Sequence, residues 1–313
     1  MSKPRLSRWV VSSYETEADI AAEIAAIGAR AEVIGLKRDA EILVVTSSIA
    51  VDAALLAHTP SARLVITTTS GYDHLDLKLL AERGIAACRL PLVRRDAVVE
   101  ASLAMLIDGL RCIDAYRAAA EAGEWIRHQM PALAPKTLTG SRIGLVGLGV
   151  IGQRMAELLL ALGAEVWGLD PAGVCTGIRP ATLTEMLSQC DAVSLHCRLT
   201  DENRGMIGVT QLQSVAPGLV LVNTARGGLL DLDACITALD NGRLRALGVD
   251  VFPEEPWPRL ADAARPGVLF TPHSAGYHTR LPLRVREGIV SAVTAWTTGA
   301  PLPWELLAGT PSV

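Results

Sequence analysis

Three short apolar runs in the last third of this chain each end in a residue able to do chemistry. Arg226 follows Val222-Asn-Thr-Ala, the pair Glu254 and Glu255 follows Val249-Asp250-Val-Phe-Pro, and His273 follows Phe270-Thr-Pro. An arginine's rigid fork grips a carboxylate and polarises a neighbouring carbonyl. An imidazole gives a proton to a carbonyl oxygen and takes it back, and a carboxylate on its other ring nitrogen orients it. Together the three suit hydride addition to the carbonyl of a 2-oxo acid, and the reverse. Alone, each has a plainer reading: an arginine after a strand is usually a surface charge, and a lone histidine is usually structural.

The hydride must come from elsewhere, and Gly147-Leu148-Gly149-Val150-Ile151-Gly152 indicates the source. Residues 142–147 read as a buried strand, 151–162 as a helix and 165–170 as a second strand ending in Asp170. A dinucleotide needs that order. The first glycine permits the tight turn, the second lets backbone approach the pyrophosphate, and the third lets helix and strand pack closely. The helix N-terminus offers unpaired N–H groups to the phosphates. Asp170 can accept both ribose hydroxyls of NAD, whereas a 2′-phosphate would meet its charge. The cofactor expected is NAD. Gly147, Gly149, Val150, Ile151, Gly152 and Asp170 are its candidate contacts, with Thr224, Asp250 and Gly276 from the later strand ends.

The elements around these residues alternate strand and helix, the pattern of parallel sheets built from βαβ units. Before the glycine loop, strands are expected at 9–11, 33–36, 42–46, 64–67 and 85–88, with helices near 17–28, 51–57 and 76–83. A long helical pattern over 96–116 is the expected crossing between domains. Further strands are expected at 192–195, 219–222, 246–249 and 268–270, then a helix over 283–297. The fold expected is α/β, with two doubly wound parallel-sheet domains and a cleft between them. One is a Rossmann nucleotide-binding domain, residues 98–287. The other is a flavodoxin-like substrate domain, residues 1–97 with 288–313.

Composition excludes several classes. Half of the 313 residues are hydrophobic, and a net charge of −4 offers no basic field for nucleic acid. No run of about 18 apolar residues suggests a membrane span, and no apolar signal core follows the N-terminus, so the expected location is cytoplasmic. The six cysteines show no metal-ligand cadence and read as small hydrophobes.

With these motifs in order, the sequence resembles the D-isomer-specific 2-hydroxyacid dehydrogenase family. The resemblance runs from Gly71-Tyr-Asp-His-Leu-Asp76 through Val98-Val-Glu100, Gly123-Glu-Trp125, the glycine loop and Leu195-His-Cys-Arg-Leu-Thr200 to the segments of Arg226, Glu255 and His273. It implies an NAD-dependent enzyme acting on a small 2-hydroxy or 2-oxo acid. In it Arg226 binds substrate, His273 is the acid/base and Glu255 is the histidine's partner, with Glu254 a solvated neighbour. It implies that Asp250 meets the nicotinamide carboxamide and that backbone amides at Ser70 and Gly71 hold the substrate carboxylate. It also implies a homodimer joined through the nucleotide domains, with residues 123–135 in the contact. An alternative on the same fold is an NAD(H)-sensing scaffold or corepressor. A formate dehydrogenase-like reading fails, because that branch carries glutamine where Glu255 stands.

Two departures stand out. Arg198 replaces the family's usual proline beside the expected cofactor. Arg94 and Arg95 stand where small or amide residues are common, either as solvated loop charges or as groups favouring a second anion on the substrate. Of the other histidines, His58 and His128 read as exposed and His196 as strand-end packing or a cofactor-edge contact. His74 and His278 are left open.

Overall fold

The computed structural model describes residues 3–8, 15–34 and 39–306. They divide into two compact units, one formed by the described residues up to 95 together with 277–306, the other by residues 96–276.

The first unit holds a parallel sheet of β1 (Arg5–Arg8), β2 (Glu32–Ile34), β3 (Ile42–Val45), β4 (Leu64–Thr67) and β5 (Ala86–Arg89). Its order is β2-β1-β3-β4-β5, the flavodoxin-like arrangement. Successive side chains serve opposite faces. Ile42, Val44, Leu64 and Ile66 enter one apolar cluster, while Leu43, Val45 and Val65 enter the other. Burial on both faces explains why these strands read as unbroken apolar runs. Helix starts are marked by side-chain caps. Thr16 and Asp19 form a reciprocal box at the start of Glu17–Ile27, and Asp52 and Asp76 cap Ala53–His58 and Leu77–Glu82.

The second unit holds β6 (Arg142–Val146), β7 (Glu165–Leu169), β8 (Arg179–Pro180), β9 (Ala192–Leu195), β10 (Leu219–Asn223), β11 (Leu244–Val249) and β12 (Val268–Phe270). The order β12-β11-β10-β9-β6-β7-β8 is wholly parallel and reverses between β6 and β9. This is the Rossmann arrangement with one added edge strand, and its switch point lies at the carboxyl end of β6. Here too the two faces feed separate cores, Val193, Leu195 and Leu221 on one side and Ile143, Leu145 and Val220 on the other.

Four expectations need adjustment. The expected first strand, 9–11, lies outside the described residues, as does part of 33–36, and the strand seen is Arg5–Arg8. The helix expected over 96–116 begins at Leu92 and ends at Arg111. There Cys112 takes φ +57° and a separate helix, Ile113–Glu121, follows. The expected first domain boundary, 97/98, falls at 95/96. The second was expected at 287/288, which would cut the helix Leu281–Thr298. The division falls after Gly276, because Leu281 and Val285 pack with Leu6, Ile42 and Leu64 in the first unit's core.

Candidate active site

Two glycines, one in the loop after β6 and one in the first turn of the helix that follows, admit no other residue. Gly147 has φ +93°, and a Cβ on it would lie 2.5 Å from the Cys197 amide nitrogen. A Cβ on Gly152 would lie 2.0 Å from the Gly147 carbonyl oxygen. The loop is therefore pressed against the end of β9 at the switch point. Gly149 is the N-cap of the helix Val150–Ala161 with no side-chain cap, so Val150 and Ile151 open that helix with their amides left for a ligand. Asp170 ties the loop to the end of β7: Oδ2 accepts from the Leu148 amide at 2.6 Å and Oδ1 from the Ala172 amide at 2.8 Å. A glycine cradle, an uncapped helix start and a half-buried carboxylate fit a dinucleotide.

The other candidates stand at the ends of the neighbouring strands β10, β11 and β12 and are tied to one another by backbone. The Asp250 amide donates to the Asn223 carbonyl at 3.0 Å, and the His273 amide donates to the Asp250 carbonyl at 2.8 Å. A Cβ on Gly227 would lie 2.0 Å from the Phe252 carbonyl carbon, so the turn carrying Arg226 rests directly on the turn leading to Glu255. Buried Asn223 folds the Arg226 turn, with Nδ2 donating to the Arg226 carbonyl at 2.9 Å and Oδ1 accepting from the Ala225 amide at 3.0 Å. Arg226 is half-buried, and its Nη1 donates to the Ala225 carbonyl at 2.8 Å.

Glu255 and His273 meet. The ring Nδ1 lies 2.7 Å from Glu255 Oε2, while Oε1 accepts from the Phe252 amide at 3.0 Å. The histidine ring is 52% exposed and the glutamate 38%, so the pair faces solvent at a surface that a substrate can reach. His273 has φ +51°, a left-handed backbone that a residue with a Cβ adopts at some cost. Asp250 secures it. Its carboxylate is 1% exposed and accepts from Thr271 Oγ1 at 2.6 Å, the Ser274 amide at 2.8 Å and the Ala275 amide at 3.0 Å. Asp250 thus organises the histidine loop. Thr224 is buried with its hydroxyl 2.7 Å from Ser102 Oγ, and Gly276 closes the same loop as the last residue of its unit.

Sequence reasoning missed the aromatic support. The chain's only two phenylalanines, Phe252 and Phe270, pack with Trp257 at centroid distances of 5.4 to 5.7 Å. This group braces the turn that carries Glu255, and the scarcity of phenylalanine was the available signal.

In the first unit, Ser70 and Gly71 lie in the loop leaving β4. Arg94 donates to the Thr68 carbonyl of the same loop, so it is an internal anchor there. Arg198 is exposed, and Glu254 is exposed beside Glu255. His58 and His128 are exposed. His196 Nε2 lies 3.0 Å from Ser194 Oγ, and burial pushes its imidazole down to about 4. His74 bonds Thr67 Oγ1 at 3.0 Å, and His278 Nε2 donates to the Val93 carbonyl at 2.9 Å. Cys88, Cys190 and Cys235 are buried, which pushes their thiols up to about 12, whereas Cys175 is exposed. No helix among the described residues is long and apolar enough to cross a membrane.

Comparison with known proteins converges on one family. The family model described as D-isomer specific 2-hydroxyacid dehydrogenase, NAD binding domain, matches residues 103–275, more than half of the chain. The chain belongs to this family. The glycine loop, Asp170, Arg226, Glu255 and His273 all lie within the matched NAD-binding domain. D-3-phosphoglycerate dehydrogenase of Mycobacterium tuberculosis is 33% identical over 240 residues, 75% of this chain and 45% of the relative. The chain thus spans about half the length of such relatives. Among solved structures, Aquifex aeolicus D-lactate dehydrogenase complexed with NAD and lactic acid is similar with a TM-score of 0.80 and 25% identity. That match covers 94% of this chain and 96% of that one. The TT0316 protein of Thermus thermophilus gives 0.82 and 29%, covering 97% of this chain and all of that one.

Proposed function

We propose that the protein transfers a hydride between NAD(H) and a small D-2-hydroxy acid or its 2-oxo acid. The observation that carries this reading is the Glu255–His273 pair, 2.7 Å apart and tied by backbone to the Arg226 turn on a domain of the family's NAD-binding type. The bound nicotinamide supplies the hydride chemistry. Asp170 accepts the ribose hydroxyls and so favours NAD over NADP, and the amides at the start of Val150–Ala161 take the pyrophosphate. Arg226 grips the substrate carboxylate and polarises its carbonyl. His273, through the nitrogen that Glu255 does not engage, gives a proton to the carbonyl oxygen in reduction and recovers it in oxidation. Glu255 fixes the ring, and Asp250 holds the loop beneath it. The amides of Ser70 and Gly71, in the loop after β4, are further groups suited to a substrate carboxylate.

The NAD-binding unit also supports association of two copies. Ile113, Trp125 and Met130 are exposed, Trp125 at 82%, on an arm whose helix Ile113–Glu121 buries none of its residues. Exposed apolar side chains such as these are the groups that an interface between copies would cover. A homodimer is the expected species, and Trp125→Asp should shift sedimentation toward the monomer.

The functional reading is tested by NADH oxidation with glyoxylate, pyruvate, hydroxypyruvate, a branched 2-oxo acid and a dicarboxylic 2-oxo acid. At least one should be reduced with saturation kinetics. Failure of all five, with NADH bound, would remove the reading.

A further inference from the structure

The loop after β4 is built in an unusual way, and its builders are two arginines that the reaction scheme does not use. Arg89 ends β5 and pairs in register with Thr67 at the end of β4. Its Nη1 donates to the Ser70 carbonyl at 3.0 Å, and the Arg94 guanidinium donates to the Thr68 carbonyl. The Gly71 carbonyl accepts from Thr69 Oγ1 at 2.8 Å, and Ser70 Oγ donates to the Pro91 carbonyl at 3.1 Å. Three carbonyls of the loop are therefore held by side-chain donors. Among the described residues, the Ser70 and Gly71 amides donate to no acceptor.

Arg89 carries a second anomaly. It is half-buried, its guanidinium carbon lies 5.3 Å from the Tyr72 ring centroid, and no carboxylate pairs with it among the described residues. Burial holds it below the ordinary guanidinium range. A cation half withdrawn from water loses part of its hydration, and a counter-charge offsets that loss. A carbonyl and an aromatic face supply only part of that compensation. An anion at the neighbouring amides would supply the rest.

We propose that Arg89 and Arg94 are positioning residues that clamp the Thr68 and Ser70 carbonyls so that the Ser70 and Gly71 amides receive the substrate carboxylate, with Arg89 adding its counter-charge. The proposal rests on the functional reading above and names what makes the carboxylate cradle in this chain. It also gives the arginine at 94 a role other than contact with a second anionic group. Two planar guanidiniums, each donating from one nitrogen to one of two alternate carbonyls, fix the loop's peptide planes, which a point charge on a flexible stem does less well.

The test uses the whole protein with Arg89→Met, Arg94→Met and the conservative Arg89→Lys. Two quantities are read: KM for the best 2-oxo acid, and the Kd of oxamate for the NADH complex by fluorescence titration. Arg89→Met and Arg94→Met should each raise both by roughly tenfold to a hundredfold, the usual worth of a charge-assisted contact. KM for NADH should stay within twofold, and Arg89→Lys should recover part of the loss by restoring charge without the fork. Substrate KM and oxamate Kd within twofold of wild type in both methionine variants would overturn the proposal. So would a parallel rise in KM for NADH, the mark of general structural damage. If Arg89→Met does not fold, Arg89→Lys decides: it must raise oxamate Kd without raising KM for NADH. A wild type that binds NADH and oxamate without reducing any 2-oxo acid would sink the functional reading instead, while the oxamate comparison would still judge the cradle.

Discussion

Glu255 is held at both carboxylate oxygens: Oε2 stands 2.7 Å from His273 Nδ1, and Oε1 takes the Phe252 amide at 3.0 Å. The second contact stops the carboxylate from turning away, so the imidazole is presented in one orientation. His273→Ala should therefore lower kcat by roughly 10²–10⁴ with KM for NADH little changed, the usual worth of a general acid/base. Glu255→Ala should cost roughly tenfold to a hundredfold, since the ring survives without its partner. Steady-state kinetics with saturating NADH decide it. A His273→Ala enzyme with near-wild-type turnover would remove that residue from the chemistry.

Asp250 is the anchor of the histidine loop, and its loss should be felt in both stability and rate. Asp250→Ala leaves the Ser274 and Ala275 amides and the Thr271 hydroxyl without their acceptor at a site 1% exposed. The expected destabilisation is about 2–4 kcal/mol, with a fall in kcat because His273 loses its support. Asp250→Asn, which keeps one acceptor oxygen, should fall between. Urea unfolding alongside kcat tests this. An alanine variant of full stability and activity would show the carboxylate to be idle.

Asp170 should set cofactor choice. It already accepts from the Leu148 and Ala172 amides, and its remaining acceptor capacity suits ribose hydroxyls while its charge opposes a 2′-phosphate. Asp170→Ala should raise KM for NADH by roughly tenfold, the scale of one charge-assisted contact, and narrow the gap to NADPH. If wild type already used NADPH better, this assignment would be wrong.

His196 should make stability depend on pH. Burial holds its imidazole at about 4, below the unfolded value near 6.5, so between these values the unfolded chain binds the extra proton. Stability then rises with pH across this window and is lost as pH falls from about 6.5 toward 4, by up to about 3 kcal/mol. Urea unfolding of wild type and His196→Asn at pH 7 and pH 4.5 isolates the contribution. Equal pH dependence in the two proteins would contradict it.

Much of this arrangement was legible in the sequence because burial on both faces of a parallel sheet writes strands as apolar runs. Ala192–Leu195 and Val268–Phe270 appear within the expected limits. Arg5–Arg8 was hidden because only Leu6 and Ser7 of its four residues are buried, and two arginines flank them. Nothing in Arg111-Cys112-Ile113 marks the left-handed residue that ends the long helix. Side chains at strand ends could be named from their types and order. The anchors beneath them could not. Asp250 reaches residues more than twenty positions away and Arg94 reaches back 26, distances that only the folded chain closes.

The most direct test is deuteride transfer. The enzyme, given NADH carrying deuterium at both positions of the nicotinamide C4 and the best 2-oxo acid, should yield the D-2-hydroxy acid carrying one deuterium at C2, as read by chiral chromatography with mass detection. An unlabelled product, or the L acid, would contradict the account.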